Sequence, residues 1–334
     1  MGDDAAAMTS TREASSPAVR PAQKFHDPDW TAKGERRATV PCAGLKTLWI
    51  NTGTLCNITC KNCYIESSPG NDRLVYISAA EVRPFLAEAE RQHAREIAFT
   101  GGEPFLNPDM AEMAADALTC GFDVLILTNA MLPMQRPRVK QALIELNNRF
   151  PGRLTLRVSL DHFTAELHES ERGAGTWAPA VAGIDWLTTN GFRIAIAGRT
   201  CWGEMEAASR AGYAALIAAN GWPIDAHARE QLVLFPEMKS GSDVPEITTA
   251  CWGILDKHPD QMMCASSRMV VKRKGADAPA VLPCTLLPYD ERFEMGSTLQ
   301  SAEAADGGMF DNGAIKLCHE HCARFCVLGG GSCS

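Results

Sequence analysis

The sequence predicts an α/β protein: an open, partial (β/α)6 barrel over residues 41–240, then a small cysteine-rich domain over 241–334. Two observations carry that reading. Between residues 45 and 235, short apolar runs alternate with helix-patterned stretches of about 10 to 15 residues, the rhythm of parallel βαβ units. About six such units fit, short of the eight that close a full barrel. After residue 240 the rhythm breaks into Gly-, Pro- and Cys-rich sequence that reads as a second domain.

Residues 1–40 are rich in Ala, Ser, Thr, Pro and charge without periodicity, and read as a disordered, mobile tail. "LKTLWIN" is the first strand. "SAAEVRPFLAEAERQ" follows as a helix, with Ser78 as N-cap and Glu81 three residues on as its capping-box partner. "EIAFT" is a strand that runs into Gly101 and Gly102. "PDMAEMAADALTCG" is a helix stopping at Gly121, and "DVLILTN" the next strand. Helix "RPRVKQALIELNNRF" leads to strand "LTLRVSLD", and helix "WAPAVAGIDWLTTNG" leads to strand "FRIAIAG". A helix over "EAASRAGYAALIAANG" closes the series. In the C-terminal part, "SSRMVVKRKGADAPAVLP" reads as a hairpin.

The 334 residues carry a net charge of -8 with 46% apolar content, which gives no electrostatic case for nucleic acid or anionic membrane as a partner. No window of about 18 apolar residues suggests a spanning helix. "MGDDAAAMTS" is acidic where a secretory signal is basic, and it fails the myristoylation pattern. The chain reads as cytoplasmic. Thirteen cysteines there argue for metal ligation rather than a disulfide framework. Cys42, Cys120 and Cys201 are scattered and read as small buried hydrophobes.

The chemistry concentrates at strand ends. After the first strand, Cys56, Cys60 and Cys63 stand at C-x3-C-x2-C. A [4Fe–4S] cube normally takes four cysteines, so three would leave one iron open to an exogenous chelate. A zinc knuckle or redox thiols would use the same residues. After the second strand, "FTGGEPFLNPD" sets Gly101 and Gly102 where backbone passes close to a ligand, with Glu103 as an acceptor for an amine.

Together, "CNITCKNCY" and "FTGGEP" resemble the radical S-adenosylmethionine (radical SAM) enzymes, over residues 45 to about 235. "LTNA" at 127–130 and "RVSLDHFTAELHESERGAGTWAPAV" at 157–181 sit where members carry similar text. The His-Glu-x-x-Arg-Gly-x-Gly-x-Trp run is similar to the subgroup holding peptide and sulfatase maturases and the molybdopterin-precursor cyclase. The resemblance implies that Cys56, Cys60 and Cys63 hold a [4Fe–4S] cluster whose open iron is chelated by SAM. One electron then cleaves a carbon–sulfur bond, and the 5′-deoxyadenosyl radical takes a hydrogen from a peptide or small-molecule substrate. It also implies an electron donor of flavodoxin or ferredoxin type. By position, Gly101, Gly102 and Glu103 take the methionine part of SAM, and Thr128 and Ser159 its polar atoms. Asn62 meets the adenine edge through its backbone. Asp161 and Arg199 face the same mouth.

Cys251, Cys264, Cys284, Cys318, Cys322, Cys326 and Cys333 occupy a stretch too Gly- and Pro-rich to build much core. Their arrangement is similar to a SPASM or twitch extension, implying one or two auxiliary [4Fe–4S] clusters, with Cys264, Cys284, Cys322 and Cys326 the foremost ligands. The spacing departs from the SPASM pattern. A zinc site using His319 or His321 is the other reading. The contrasting class for the whole chain is a non-catalytic zinc- or iron–sulfur-stabilised binding or redox-sensing protein.

Overall fold

A computed structural model describes residues 23–236 and 243–330. The strands are β1 (Thr39–Val40), β2 (Thr47–Asn51), β3 (Glu96–Thr100), β4 (Asp123–Thr128), β5 (Leu154–Ser159), β6 (Arg193–Arg199), β7 (Leu232–Phe235), β8 (Ser267–Val271), β9 (Ala280–Leu282), β10 (Phe310–Asp311) and β11 (Ala314–Lys316). The principal helices are α1 (Ala79–Arg91), α2 (Met110–Thr119), α3 (Leu132–Gln135), α4 (Pro137–Arg149), α5 (Ala165–Arg172), α6 (Trp177–Thr189) and α7 (Glu206–Asn220).

The main sheet runs β7-β6-β5-β4-β3-β2-β8-β9, parallel throughout except for the antiparallel β8–β9 hairpin. Strands β2 to β6 are the five strands named from the sequence, and β7 completes the six parallel strands of the (β/α)6 reading. They are apolar on both faces because helices cover one side and the barrel interior fills the other. Inward-facing positions alternate, so Trp49, Thr100, Leu127, Ser159, Ala197 and Arg199 all line the interior at the C-terminal ends of the strands. The helices close the outside: α1 turns Val82, Phe85, Leu86 and Ala89 inward. The Ser78–Glu81 capping box forms with both of its hydrogen bonds. Helix α7 ends on Gly221 in the left-handed conformation at φ 65°, which glycine adopts without the Cβ clash. No helix among the described residues is long and apolar enough to cross a membrane.

The hairpin expected in the cysteine-rich part exists, and it joins the barrel. Met269 and Val270 of β8 register with Trp49 and Ile50 of β2, adding a seventh parallel strand to that edge. Chain beyond residue 240 therefore extends the same sheet.

The N-terminal expectation is corrected for residues 23–40, which are ordered; residues 1–22 lie outside the described residues. Arg37, 1% exposed, anchors them. Its guanidinium donates to Asp27 O at 3.0 Å, Trp30 O at 2.9 Å and Leu317 O at 3.2 Å, and to the Glu246 carboxylate at 2.7 Å. A buried charge with every face bonded organises chain that has little apolar content of its own. Strand β1 then pairs with β11, and β11 with β10, in a small second sheet.

The scattered cysteines also differ from expectation: Cys42 and Cys120 are exposed and Cys201 is half-buried. Cys120 caps the outer end of α2, while Cys42 and Cys201 sit in loops after β1 and β6.

Candidate active site

The cysteine loop leaves the C-terminal end of β2 and is locked in place from two sides. The Gly101–Gly102 turn at the end of β3 zips against it. Gly102 N donates to Gly53 O at 2.8 Å, and Glu103 N donates to Leu55 O at 3.1 Å. A Cβ on Gly102 would stand 2.1 Å from Leu55 O, so only glycine allows this approach.

The C-terminal turn of α5 holds the other side. Glu171 accepts from both the backbone N and the side-chain Nδ2 of Asn62, at 2.7 and 2.8 Å, and its own carbonyl accepts from Lys61 N at 2.8 Å. Arg199, from β6, donates to Asn62 O at 2.9 Å and pairs with Glu171 at 3.5 Å. The neighbouring Arg172 donates to Asp161 Oδ1 at 2.9 Å. Its guanidinium favours the thiolate of Cys60, whose pKa burial raises.

Cys56, Cys60 and Cys63 line one open cavity with Gly101, Gly102, Thr128, Asn129, Ser159 and Arg172. The Cys56 thiol is pushed up to about 12, chiefly by burial. Among the described residues no three Cys, His, Asp or Glu side chains converge on a point as a single metal ion requires. A four-iron cube takes each thiolate on a different corner, and three thiols spread around one cavity suit it.

Residues 50–201 match the Radical SAM superfamily. The chain carries a radical SAM domain. It is 29% identical to the mycofactocin maturase MftC of Mycobacterium ulcerans over 143 residues, 41% of this chain and 35% of that protein. It is 27% identical over 143 residues to AlbA, the antilisterial bacteriocin subtilosin biosynthesis protein of Bacillus subtilis, covering 42% of this chain and 30% of AlbA. The chain thus spans about a third of the length of these curated relatives. The fold is similar to that of Streptococcus suis SuiB bound to S-adenosylmethionine, with a TM-score of 0.57 at 13% identity over 79% of this chain and 66% of SuiB. SuiB bound to its precursor peptide SuiA superposes similarly, with a TM-score of 0.56 and 12% identity over 80% of this chain and 64% of SuiB.

Within the radical SAM domain the sequence-derived residues divide. Gly101, Gly102, Thr128 and Ser159 line the cavity with the three cysteines. Glu103 is 2% exposed and braces the end of β4: its carboxylate accepts from Thr128 Oγ1 and Asn129 N, each at 2.9 Å, and from Phe105 N at 3.2 Å. Burial nevertheless raises its pKa to about 7. The sequence reading gives Asn62's backbone to adenine, whereas the structure engages its N–H with Glu171 and its carbonyl with Arg199. Asp161 and Arg199 do face the mouth: Arg199 lines the cysteine cavity and the adjoining one, Asp161 the adjoining one.

Three residues escaped sequence reasoning: Glu171, Arg172 and Asn129. The first two stand inside the quoted His168–Trp177 run, and their charged pair ahead of Gly173 was the available signal. Asn129 Nδ2 donates to Asn57 Oδ1 at 2.9 Å, tying the end of β4 to the cysteine loop.

The C-terminal cysteines separate into two groups. Cys264, Cys284, Cys318 and Cys322 are buried. Burial, then the thiols of Cys284 and Cys264, push Cys322 well above the ordinary cysteine range. Cys326 lies four residues further along a π-helix, Cys322–Leu328. Cys318 instead donates to Asp27 O at 3.3 Å, and Cys251 lies 3.4 Å from the Thr248 hydroxyl. Burial depresses His319 to about 4. Cys333 lies outside the described residues.

Proposed function

We propose that this chain is a radical SAM enzyme acting on a peptide side chain, with Cys56, Cys60 and Cys63 as the ligands of its catalytic [4Fe–4S] cluster. The observation that carries the proposal is the single cavity at the strand ends, where three thiols meet a backbone cradle that only glycine permits at Gly102. When bound, the cluster with S-adenosylmethionine supplies one-electron carbon–sulfur cleavage and hydrogen abstraction from an unactivated carbon.

The chain's own residues prepare the site for that chemistry. Gly101 and Gly102 leave room for the methionine part of SAM. Glu103 has three donors on its carboxylate, and about four acceptor positions, so one remains for the SAM ammonium. Ser159 and Arg172, on the cavity wall, offer donors to its carboxylate or ribose. Glu171 and Arg199 hold the cysteine loop, and the apolar neighbouring cavity keeps water from the reacting carbon.

A peptide substrate is supported by the relatives, one a maturase and one a bacteriocin biosynthesis protein, and by the SuiB fold with its precursor peptide. Cys264, Cys284 and Cys322, with Cys326 one turn on, would hold an auxiliary cluster, and a flavodoxin- or ferredoxin-type protein would supply electrons. The nearness of the Cys284 and Cys264 thiols to Cys322 supports that part of the reading.

The test is a triple Cys56→Ala, Cys60→Ala, Cys63→Ala variant, reconstituted anaerobically. Cleavage of SAM to 5′-deoxyadenosine and methionine should vanish, and about four iron and four sulfide should remain per chain from the auxiliary cluster. Unchanged iron with retained SAM cleavage refutes the assignment. Zinc in place of iron in both regions would favour the non-catalytic class.

A further inference from the structure

Arg268 is buried without a carboxylate. It lies on β8, in register with Leu48 of β2, and is 4% exposed. Its Nη1 donates to the carbonyls of Cys264 and Ser267, each at 2.7 Å, and its Nη2 is buried with no partner. The buried Arg37, by contrast, has the Glu246 carboxylate at 2.7 Å, and Arg172 has that of Asp161 at 2.9 Å. Among the described residues no acid is paired with Arg268. A guanidinium keeps its charge in a folded protein, and burying that charge without an anion is costly. An unneutralised one marks where an anion belongs.

The neighbours that can supply the anion are thiols. The Nη1 bonds run to the main chain of the turn that carries Cys264, so they fix the charge beside that residue whichever way Nη2 points. Burial pushes the Cys264 thiol up to about 11, and the Arg268 charge opposes that rise. The Cys284 and Cys264 thiols act in turn on Cys322. Cys264 stands just ahead of β8 and Cys284 just after β9, so one hairpin carries the cation and two of the thiols. Four thiolates on an oxidised [4Fe–4S] cube leave it a dianion, and one more electron makes it a trianion. Soft sulfur donors around a buried, unneutralised cation fit that group.

We propose that Arg268 is the counter-cation of the auxiliary cluster and raises its reduction potential. The cation favours the trianion over the dianion, so the cluster accepts an electron more readily. This rests on reading Cys264, Cys284, Cys322 and Cys326 as the ligands of that cluster, and it adds what sets the potential. An arginine that only braced the turn before β8 would make the same two carbonyl bonds, but the potential would not follow its charge.

The test uses the full-length Cys56→Ala, Cys60→Ala, Cys63→Ala chain, reconstituted anaerobically so that the auxiliary cluster is the one present. Its one-electron midpoint is read by potentiometric titration followed by EPR. Adding Arg268→Gln should disfavour the reduced form at least about tenfold, a fall of about 59 mV, while Arg268→Lys should stay near the parent. Iron and sulfide per chain should be alike in all three. An unmoved midpoint in Arg268→Gln, or equal falls in Gln and Lys, overturns this proposal and leaves the cluster reading standing. A parent chain that holds zinc or no metal overturns both. Where neither variant keeps its cluster, the parent grown on guanidinium-labelled arginine decides. Pulsed EPR of its reduced cluster should show a coupling to the label, and the lack of one overturns the proposal.

Discussion

Replacing Glu171 by Ala should unlock the cysteine loop without touching a thiol. The carboxylate is 3% exposed and receives two charge-assisted hydrogen bonds from Asn62, at 2.7 and 2.8 Å, besides the ion pair with Arg199. Bonds to a charged group contribute about 1.5–3 kcal/mol each. Removing one partner of a buried pair costs about 3–5 kcal/mol, because the other charge is left behind. These terms overlap, so about 3–5 kcal/mol is the expected total, or roughly two to three and a half decades in the opening equilibrium of the loop. The assay is the rate at which reconstituted protein loses iron to an excess of a ferrous chelator, followed by absorbance under anaerobic conditions. Glu171→Ala should release the iron of one cluster at least about 100-fold faster than wild type, by the same arithmetic. Glu171→Gln, which keeps one acceptor for Asn62, should fall between. Thermal unfolding followed in parallel separates a local opening from a global loss of fold. Wild-type iron release from a folded Glu171→Ala protein would refute the clamp.

Three further outcomes follow from particular contacts. Gly102→Val forces Leu55 O away from the turn and breaks the Glu103–Leu55 hydrogen bond, so both SAM affinity and cluster loading should fall. Overpacking adds about 1–3 kcal/mol of instability; a variant with wild-type cluster content and SAM affinity contradicts this packing. Glu103 has its pKa raised from 4.5 to about 7 in the folded state, so the unfolded chain releases the proton first and stability from this group falls as pH rises from about 4.5 to about 7. In SAM-free protein, Glu103→Gln should lack that decline when urea midpoints are compared across this window; parallel curves would refute it. Arg37→Ala leaves Glu246 buried without its cation and should cost about 3–5 kcal/mol. Amide exchange should then accelerate across residues 23–38, and unchanged protection there would show that the strap is held by other contacts.

Much of this protein was legible in its residue order, because the signals were local. The strand and helix periods act over a few residues, so five of the six parallel strands and the longer helices between them could be read, down to the Ser78–Glu81 cap. The C-x3-C-x2-C loop and the Gly-Gly turn each constrain their own backbone, so their chemistry showed before their meeting did. What the tertiary structure decided is pairing across long separations. Glu171 clamps Asn62 from 109 residues away, and Arg37 finds Glu246 at a separation of 209. A charge in a sequence does not name its partner, and α5 had too little apolar periodicity to be recognised as a helix pointing at the loop. Strand β8 joins β2 because an open barrel leaves an edge with unpaired backbone groups, and the hairpin between Cys264 and Cys284 satisfies them.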